Sequence, residues 1–210
     1  AHIPGNAIPL HPDCEAAAKA TGVLLNNLGH FVEESYPIAL DSERERRRHV
    51  WAILTASIAS HVDSLQRETG RTLTANDVEI HTWAMIEIGR SRTATRYIAA
   101  TEWLQEDTRR IADWWHPSDG SQGFDILVTP TIGEPPPKLG QFVSTQDDPL
   151  AGARRAAALM PFTVPFNVTG QPAISLPLHC NDAGLPIGVQ LVGAFGREDL
   201  LLKLASQIED

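Results

Sequence analysis

Residues 173–193 read AISLPLHCNDAGLPIGVQLVG, and this stretch has the clearest structural pattern of the chain. Polar and apolar side chains alternate over 173–178, and a second apolar run covers 187–192. The turn-forming residues Asn, Asp and Gly lie between the two runs, so the sequence predicts an antiparallel β-hairpin. Pro177 has no backbone N–H to donate to a ladder, which predicts an edge strand or a bulge at its position.

A helix is predicted after the hairpin, beginning just past Gly196. Glu198 and Asp199 suit the positively charged end of a helix dipole. Apolar residues then recur at helical spacing and are expected to point inward, namely Leu201, Leu204, Ala205 and Ile208.

The segment immediately before the hairpin, 162–172, reads FTVPFNVTGQP. It combines apolar rings with Thr, Asn and a Gly-x-Pro turn, which predicts a loop leading into the first hairpin strand. Polar groups on a loop held by a sheet are frequent binding residues. A loop selected only for its turn geometry fits the same residues, and the sequence leaves both interpretations open.

A further strand is predicted upstream at 124–128, FDILV, which ends at Thr129 and Pro130. A short apolar run of this kind is typical of a strand buried on both faces. The next residues, 133–146, include three consecutive prolines and two glycines. They predict a long irregular loop that borders a site or crosses another element.

Residues 41–117 form a predicted helical region. Its charge run at 43–48, ERERRR, suits either an anion site or a solvated helix surface, and the pattern favours the solvated surface. Thr74 is expected to cap a second helix. Three tryptophans at helical spacing favour core positions over a binding platform, namely Trp103, Trp114 and Trp115.

Residues 1–40 predict a helix–strand lead-in. Asp13 is expected to cap the helix, and Gly29 to end it. A short strand is predicted over 30–36. The remaining segment, 124–210, is expected to hold the other strands, the pocket loop and the closing helix.

Composition excludes several classes of function. The chain has 210 residues, 17 Lys plus Arg against 26 Asp plus Glu, and a net charge of −9, which argues against a nucleic-acid binder. Two cysteines are too few for a disulfide framework. No apolar run reaches the length of a membrane-spanning helix, and we expect a cytoplasmic protein without a membrane partner.

No self-contained catalytic motif is present in the sequence. The eight histidines include no metal-ligand pair at helical spacing, and there is no Cys-x-x-Cys, so neither a metal nor another cofactor is predicted. There is no Gly-x-Ser-x-Gly elbow. Cys14 lies in a predicted first helical turn, where the helix dipole could lower its pKa, but the pattern favours an unreactive thiol for Cys14 and Cys180.

Several blocks resemble amidase-signature enzymes in sequence and order. They are the lead-in around 28–34, the strand at 124–131, the segment at 162–178, the second hairpin strand at 184–193 and the helix start at 197–201. The resemblance implies an α/β fold, a mixed sheet wrapped by helices. It also implies hydrolysis of a carboxamide through an acyl-enzyme, with a serine, a second serine in a cis peptide and a lysine as catalytic residues.

The catalytic segment of that family has no counterpart here. The sequence contains no Ser-Ser and no Gly-Gly, and its only lysines are Lys19, Lys138 and Lys203, in two predicted helices and a Pro-rich loop. We therefore expect 1–210 to be the C-terminal portion of an amidase domain, with an incomplete sheet. Alone it should be inactive, and the N-terminal half of the same protein would be its partner.

The resemblance also assigns site residues. Phe162, Thr163 and Asn167, with Thr129, are expected to bind the small-molecule amide substrate or to support the pocket, while catalytic residues lie outside the chain. Because of its apolar content, the helical region is expected to furnish the acyl side of the pocket through Trp83, Met85 and Ile86.

The substrate subclass depends on residues 159–161, Leu-Met-Pro. Family members that feed ammonia to glutamylated transfer RNA have an acidic residue ahead of the Phe-Thr pair, and none occurs here. This disfavours a component of the glutamyl-tRNA amidotransferase and favours a stand-alone amidase. A non-catalytic interaction module on the same scaffold is the other alternative. Open sheet edges would leave apolar surface that favours association, including a homo-oligomer.

Overall fold

The computed structural model describes residues 10–209, which fall into two compact units. Unit 1 comprises 10–43, 107–137 and 158–209, and unit 2 comprises 44–106 and 138–157. The chain therefore crosses between the units several times. Each unit is described by itself below.

The helices and strands of the described residues are as follows. The helices are α1 (Pro12–Asn27), α2 (Glu43–Thr69), α3 (Ile80–Arg90), α4 (Ala94–Ala112), α5 (Ala151–Leu159), α6 (Val164–Thr169) and α7 (Glu198–Glu209), with a 3₁₀ turn over Ile38–Ser42. The strands are β1 (Ile126–Pro130), β2 (Ala173–Cys180) and β3 (Pro186–Gly193).

Unit 1 is built on an antiparallel sheet of three strands in the order β1-β3-β2. The predicted hairpin is confirmed as β2 and β3, with Ser175 opposite Gln190 and Leu176 opposite Val189. The pairing register shifts between Leu176 and His179, so Pro177 lies in an irregular part of an edge strand, as its missing N–H requires.

Strand β1 is the other edge of this sheet, since it pairs only with β3 among the described strands. Its two faces nevertheless pack against buried clusters, Leu127 in one and Ile126 with Val128 against another, so the prediction of burial on both faces is confirmed in part. Leu127 and Pro130 are buried, whereas Ile126 and Val128 are half-buried. Both edges of the three-stranded sheet are open in the described residues, which agrees with the expected incomplete sheet.

Helices and aromatic rings cover the sheet of unit 1. Trp115 and Ile111 pack with Val192 and Phe166 in one buried cluster, which confirms Trp115 as a core residue. A second cluster joins β3 to α7 and contains Leu176, Leu191, Leu201, Leu204 and Ala205, so α7 buries the face that its spacing predicted.

Two predictions at the start of the chain are wrong. Helix α1 begins at Pro12, and the side chain of His11, not that of Asp13, caps it by accepting the Asp13 backbone N–H at 3.2 Å. Residues 30–36 form no strand. Phe31 in that segment is 85% exposed, so no buried face compensates the ordering that a strand requires.

The first turns of α2 differ from the predicted solvated surface. Arg46 is fully buried, and His49 is buried and stacks on Trp103 with ring centroids 4.8 Å apart. Trp103 therefore packs within unit 2, as predicted. The charge run is thus divided between a buried side of α2 and an accessible side.

Helix α3 starts later than predicted. Its N-cap is Glu79, while Thr74 closes an earlier turn in which its hydroxyl donates to Asp77 Oδ2 at 2.7 Å. Helix α3 ends at Arg90, and α4 starts at Ala94. No helix within residues 10–209 is both long and apolar enough to cross a membrane.

Candidate functional site

The buried amide of Gln190 joins two of the predicted site residues. Gln190 lies in the middle of β3 and is 4% exposed. Its Nε2 donates to Thr129 Oγ1 at 3.0 Å and to the backbone carbonyl of Phe162 at 3.0 Å. The Gln190 side chain therefore holds the end of β1 and the segment leading into α6 in a fixed relation.

The segment 162–172 is partly helical. The sequence predicted a loop, but Val164–Thr169 form α6, with a proline in its first turn and Gly170 (φ +71°) closing it in the left-handed conformation. Proline is favoured in a first turn and glycine at a helix end, which explains this short helix.

The predicted site residues in and just before α6 differ in exposure. Phe162 is buried, Thr163 is half-buried and Asn167 is exposed. The carbonyl of Thr163 accepts the Asn167 backbone N–H at 3.1 Å, which closes the first turn of α6. Thr163 and Asn167 are thus available to solvent, while Phe162 anchors the segment.

A pair of hydroxyl groups lies across the sheet from β1 to β2. Thr131 Oγ1 and Ser175 Oγ are 2.6 Å apart, and a Cβ placed on Gly188 would lie 2.9 Å and 3.0 Å from these two oxygens. The glycine therefore makes room for the pair. Because Thr131 offers Ser175 a hydroxyl and not a base, this geometry does not activate a serine nucleophile.

The lysines do not provide a general base. Lys19 in α1 is exposed and 2.7 Å from Glu15, which raises the Lys19 pKa. Lys203 in α7 is exposed and 3.6 Å from Asp199, and Lys138 lies exposed in the loop. A catalytic lysine must be neutral to accept a proton, so these positions agree with a catalytic lysine outside the chain.

The helical residues expected on the acyl side of a pocket are not equally available. Ile86 is completely buried within unit 2, so the chain does not present it to a ligand. Trp83 is half-buried, with the Arg90 guanidinium 5.9 Å from its ring centroid, and Met85 is half-buried.

Sequence reasoning missed Gln190. The sequence pattern that could have identified it is the position of its amide in the middle of the apolar run IGVQLV. A polar side chain in such a run is buried with the rest, and a buried amide requires hydrogen-bond partners. No group of three or more His, Cys, Asp or Glu that could hold a metal ion occurs among the residues the structure describes.

Cys14 contradicts the alternative of a helix-activated thiol. It is 1% exposed in the first turn of α1. Burial, followed by the negative charges of Asp13 and Glu134, raises the pKa of the Cys14 thiol to about 11. The desolvation penalty outweighs the helix dipole, so the thiol stays protonated at neutral pH.

We expect the two cysteines to differ in alkylation at pH 8. Only about one Cys14 thiol in a thousand is ionised three pH units below its pKa, and the side chain is also inaccessible. Iodoacetamide followed by peptide mass mapping should modify the exposed Cys180 at least tenfold faster than Cys14. In urea the two rates should converge, and equal rates in the native protein would contradict the burial of Cys14.

Comparison with protein families extends these observations to nearly the whole chain. The model of the family described as Amidase matches residues 4–202. The 6-aminohexanoate-cyclic-dimer hydrolases of Pseudomonas sp. (strain NK87) and Paenarthrobacter ureafaciens are each 37% identical over 213 residues, covering 99% of this chain. The putative amidase AmiC of Mycobacterium tuberculosis (strain ATCC 25618 / H37Rv) is 33% identical over 188 residues.

Solved structures give the same picture. The chain matches 6-aminohexanoate cyclic dimer hydrolase complexed with substrate at a TM-score of 0.90 and 37% identity, over 99% of this chain and 43% of that one. A bacterial aryl acylamidase of the amidase signature family shares the fold at a TM-score of 0.68. The chain spans 42% of the length of the cyclic-dimer hydrolases and corresponds to their C-terminal part.

Proposed function

Because this chain belongs to the amidase family, we propose that it forms the C-terminal part of a hydrolase that cleaves a carboxamide through an acyl-enzyme. The catalytic serine, cis-serine and lysine lie on the part of the protein that precedes it. The serine attacks the amide carbonyl, and its proton passes through the second serine to the neutral lysine. The same route returns the proton to the departing amine, and water then releases the acid from the acyl-enzyme and restores the serine. The proposal depends above all on the match over 99% of the chain.

We assign this chain the wall and framework of the substrate pocket. Gln190 fixes Thr129 and the Phe162 carbonyl, each 3.0 Å from its Nε2. Thr163 and Asn167 follow on the anchored segment and remain accessible. A preorganised wall of this kind positions a bound amide without costing conformational entropy at the moment of reaction.

The substrate we propose is an uncharged aliphatic amide. Residues 159–161, Leu-Met-Pro, provide no carboxylate to bind a free amino group. Relatives 37% identical to this chain are named for the cyclic dimer of 6-aminohexanoate, whose amides carry aliphatic chains. The cyclic dimer is therefore the first substrate to test, with glutamine as the comparison.

The part of the protein that precedes this chain is also its proposed structural partner. Within residues 10–209, strands β1 and β2 leave open edges, and Phe31, Ile38 and Phe195 in unit 1 are between 78% and 85% exposed. Covering them removes apolar surface and edge donors from water. A second copy of the chain is the alternative partner that could cover this surface. We also propose that the protein is cytoplasmic.

Assays of the 210-residue chain and of the full protein encoded by its gene test this function. We expect the full protein to hydrolyse the cyclic dimer, to be labelled by a fluorophosphonate at a serine outside residues 1–210, and to spare glutamine. The chain alone should show neither turnover nor labelling. A labelled serine within the chain would contradict the proposed location of the catalytic residues. A full protein that neither hydrolyses amides nor reacts would support a non-catalytic module.

A further inference from the structure

Unit 2 contains a groove of about 840 Å³ that is lined mainly by arginines. The arginines at its wall are Arg44, Arg47, Arg48, Arg92, Arg96 and Arg154. The remaining lining residues are Glu45, Trp51, Leu150, Ala153 and Ala157. Its volume lies within the range of small-molecule sites.

Helical spacing explains how the arginines meet. Arg44, Arg47 and Arg48 lie at positions i, i+3 and i+4 of α2, and Trp51 follows at i+7, so the four side chains share one face. Arg96 lies in the first turn of α4. This face of α2 is the accessible side of the charge run whose other side buries Arg46.

The positive charges of the groove are only partly compensated. The lining includes six arginines and only one glutamate, although the chain as a whole has a net charge of −9. Arg48 donates to Glu45 at 2.8 Å, and Arg154 pairs with Asp148. The other four, Arg44, Arg47, Arg92 and Arg96, have no carboxylate within 4 Å among residues 10–209.

Arg92 also carries an unsatisfied polar atom. Its Nε atom is buried without a hydrogen-bond partner. A buried donor that remains unpaired costs free energy. Like charges gathered in one groove also repel one another, which an anion between them would relieve.

We propose that this groove binds an organic carboxylate with an apolar body. The planar guanidinium fork matches the geometry of a carboxylate and is less strongly hydrated than an ammonium group. The indole of Trp51 and the side chains of Leu150 and Ala153 provide apolar surface for a hydrocarbon chain. The proposal does not depend on the amidase activity.

Calorimetric titration of the full protein with octanoate tests the site. We expect octanoate to bind, and 1-octanol, acetate and inorganic phosphate to bind at least tenfold more weakly, because each lacks the charge or the apolar body. Octanoate affinity should also fall as salt rises. Absence of octanoate binding, or phosphate binding as tight as octanoate binding, would overturn the proposal.

Arginine variants distinguish binding in the groove from binding elsewhere. Arg47→Gln and Arg96→Gln should each weaken octanoate binding at least tenfold. Arg67→Gln removes the same charge from an exposed position near the other end of α2 and should change affinity less than twofold. Equal affinities in all variants would contradict the site. If one of the two groove variants does not fold, the other still decides the question.

Discussion

Replacing Gly89 by alanine is expected to lower the free energy of unfolding by about 2–3 kcal/mol, since overpacking a close contact costs about 1–3 kcal/mol. Gly89 is buried in α3 against the backbone of α2. A Cβ on Gly89 would lie 2.0 Å from the carbonyl oxygen of Thr55 and 2.8 Å from the Cβ of Ala59. The nearest atom belongs to the backbone of a helix, so no side-chain rotation relieves the contact and the helices must separate.

Gly22→Ala is the matched control for this substitution. Gly22 lies inside α1, and a Cβ there would meet its nearest atom, Val32 Cγ1, at the ordinary distance of 3.7 Å. Alanine is favoured over glycine in a helix interior by about 1 kcal/mol, so this variant should gain stability. Urea unfolding followed by circular dichroism compares the two. Equal or higher stability of Gly89→Ala would contradict the close approach of α2 and α3.

The structural role of Gly89 could be predicted only in part from the sequence. A helix end near Gly89 could be predicted from the sequence, because glycine weakens a helix whatever surrounds it. That it permits two helices to approach within contact of their backbones depends on which residues of α2 lie opposite. No local pattern contains this information, and only the folded chain supplies it.

The hairpin and α7 were predictable for the opposite reason. In the hairpin, the alternation and the turn residues specify the same structure as the final packing, and in α7 the helical spacing does so. The position of Pro177 also predicted the irregular pairing between Leu176 and His179. Residues 30–36 gave a local strand signal as well. A strand exists only where another strand pairs with it, and this segment has no such partner in unit 1 among the described residues.

The candidate site was predicted in part. Phe162 and Thr129 were identified by resemblance, and the structure brings both to Gln190. The arginine run was interpreted as uniformly solvated because charge alternation does not reveal which side of a helix is covered. The burial of Arg46 beside the accessible Arg47 follows from the packing of α2.

Gln190→Leu is expected to have the largest effect on the site. Leucine has a similar size but donates no hydrogen bond, so the Phe162 carbonyl and the Thr129 hydroxyl lose their donor. An unsatisfied buried carbonyl costs about 1–3 kcal/mol, and the hydroxyl of Thr129 can turn to another partner. We expect the free energy of unfolding to fall by about 2 kcal/mol, measured by urea unfolding.

Two further variants separate the contributions. Thr129→Val removes one acceptor and leaves the Phe162 carbonyl paired, so it should cost less than half as much as Gln190→Leu. Gln122→Leu makes the same exchange at an exposed loop position and should leave stability within about 0.5 kcal/mol of the wild type. If Gln190→Leu were as neutral as Gln122→Leu, the buried amide would not hold β1 and Phe162 together.

Activity of the full protein tests whether this link also positions the pocket wall. Loss of the anchor lets Phe162 and the start of α6 shift, and a displacement of about 1 Å can reduce turnover by about 100-fold. At a temperature where Gln190→Leu remains folded, we expect kcat/KM for the amide substrate to fall at least tenfold. Thr129→Val should show a smaller loss. If stability falls while kcat/KM stays constant, Gln190 supports the fold without positioning the pocket.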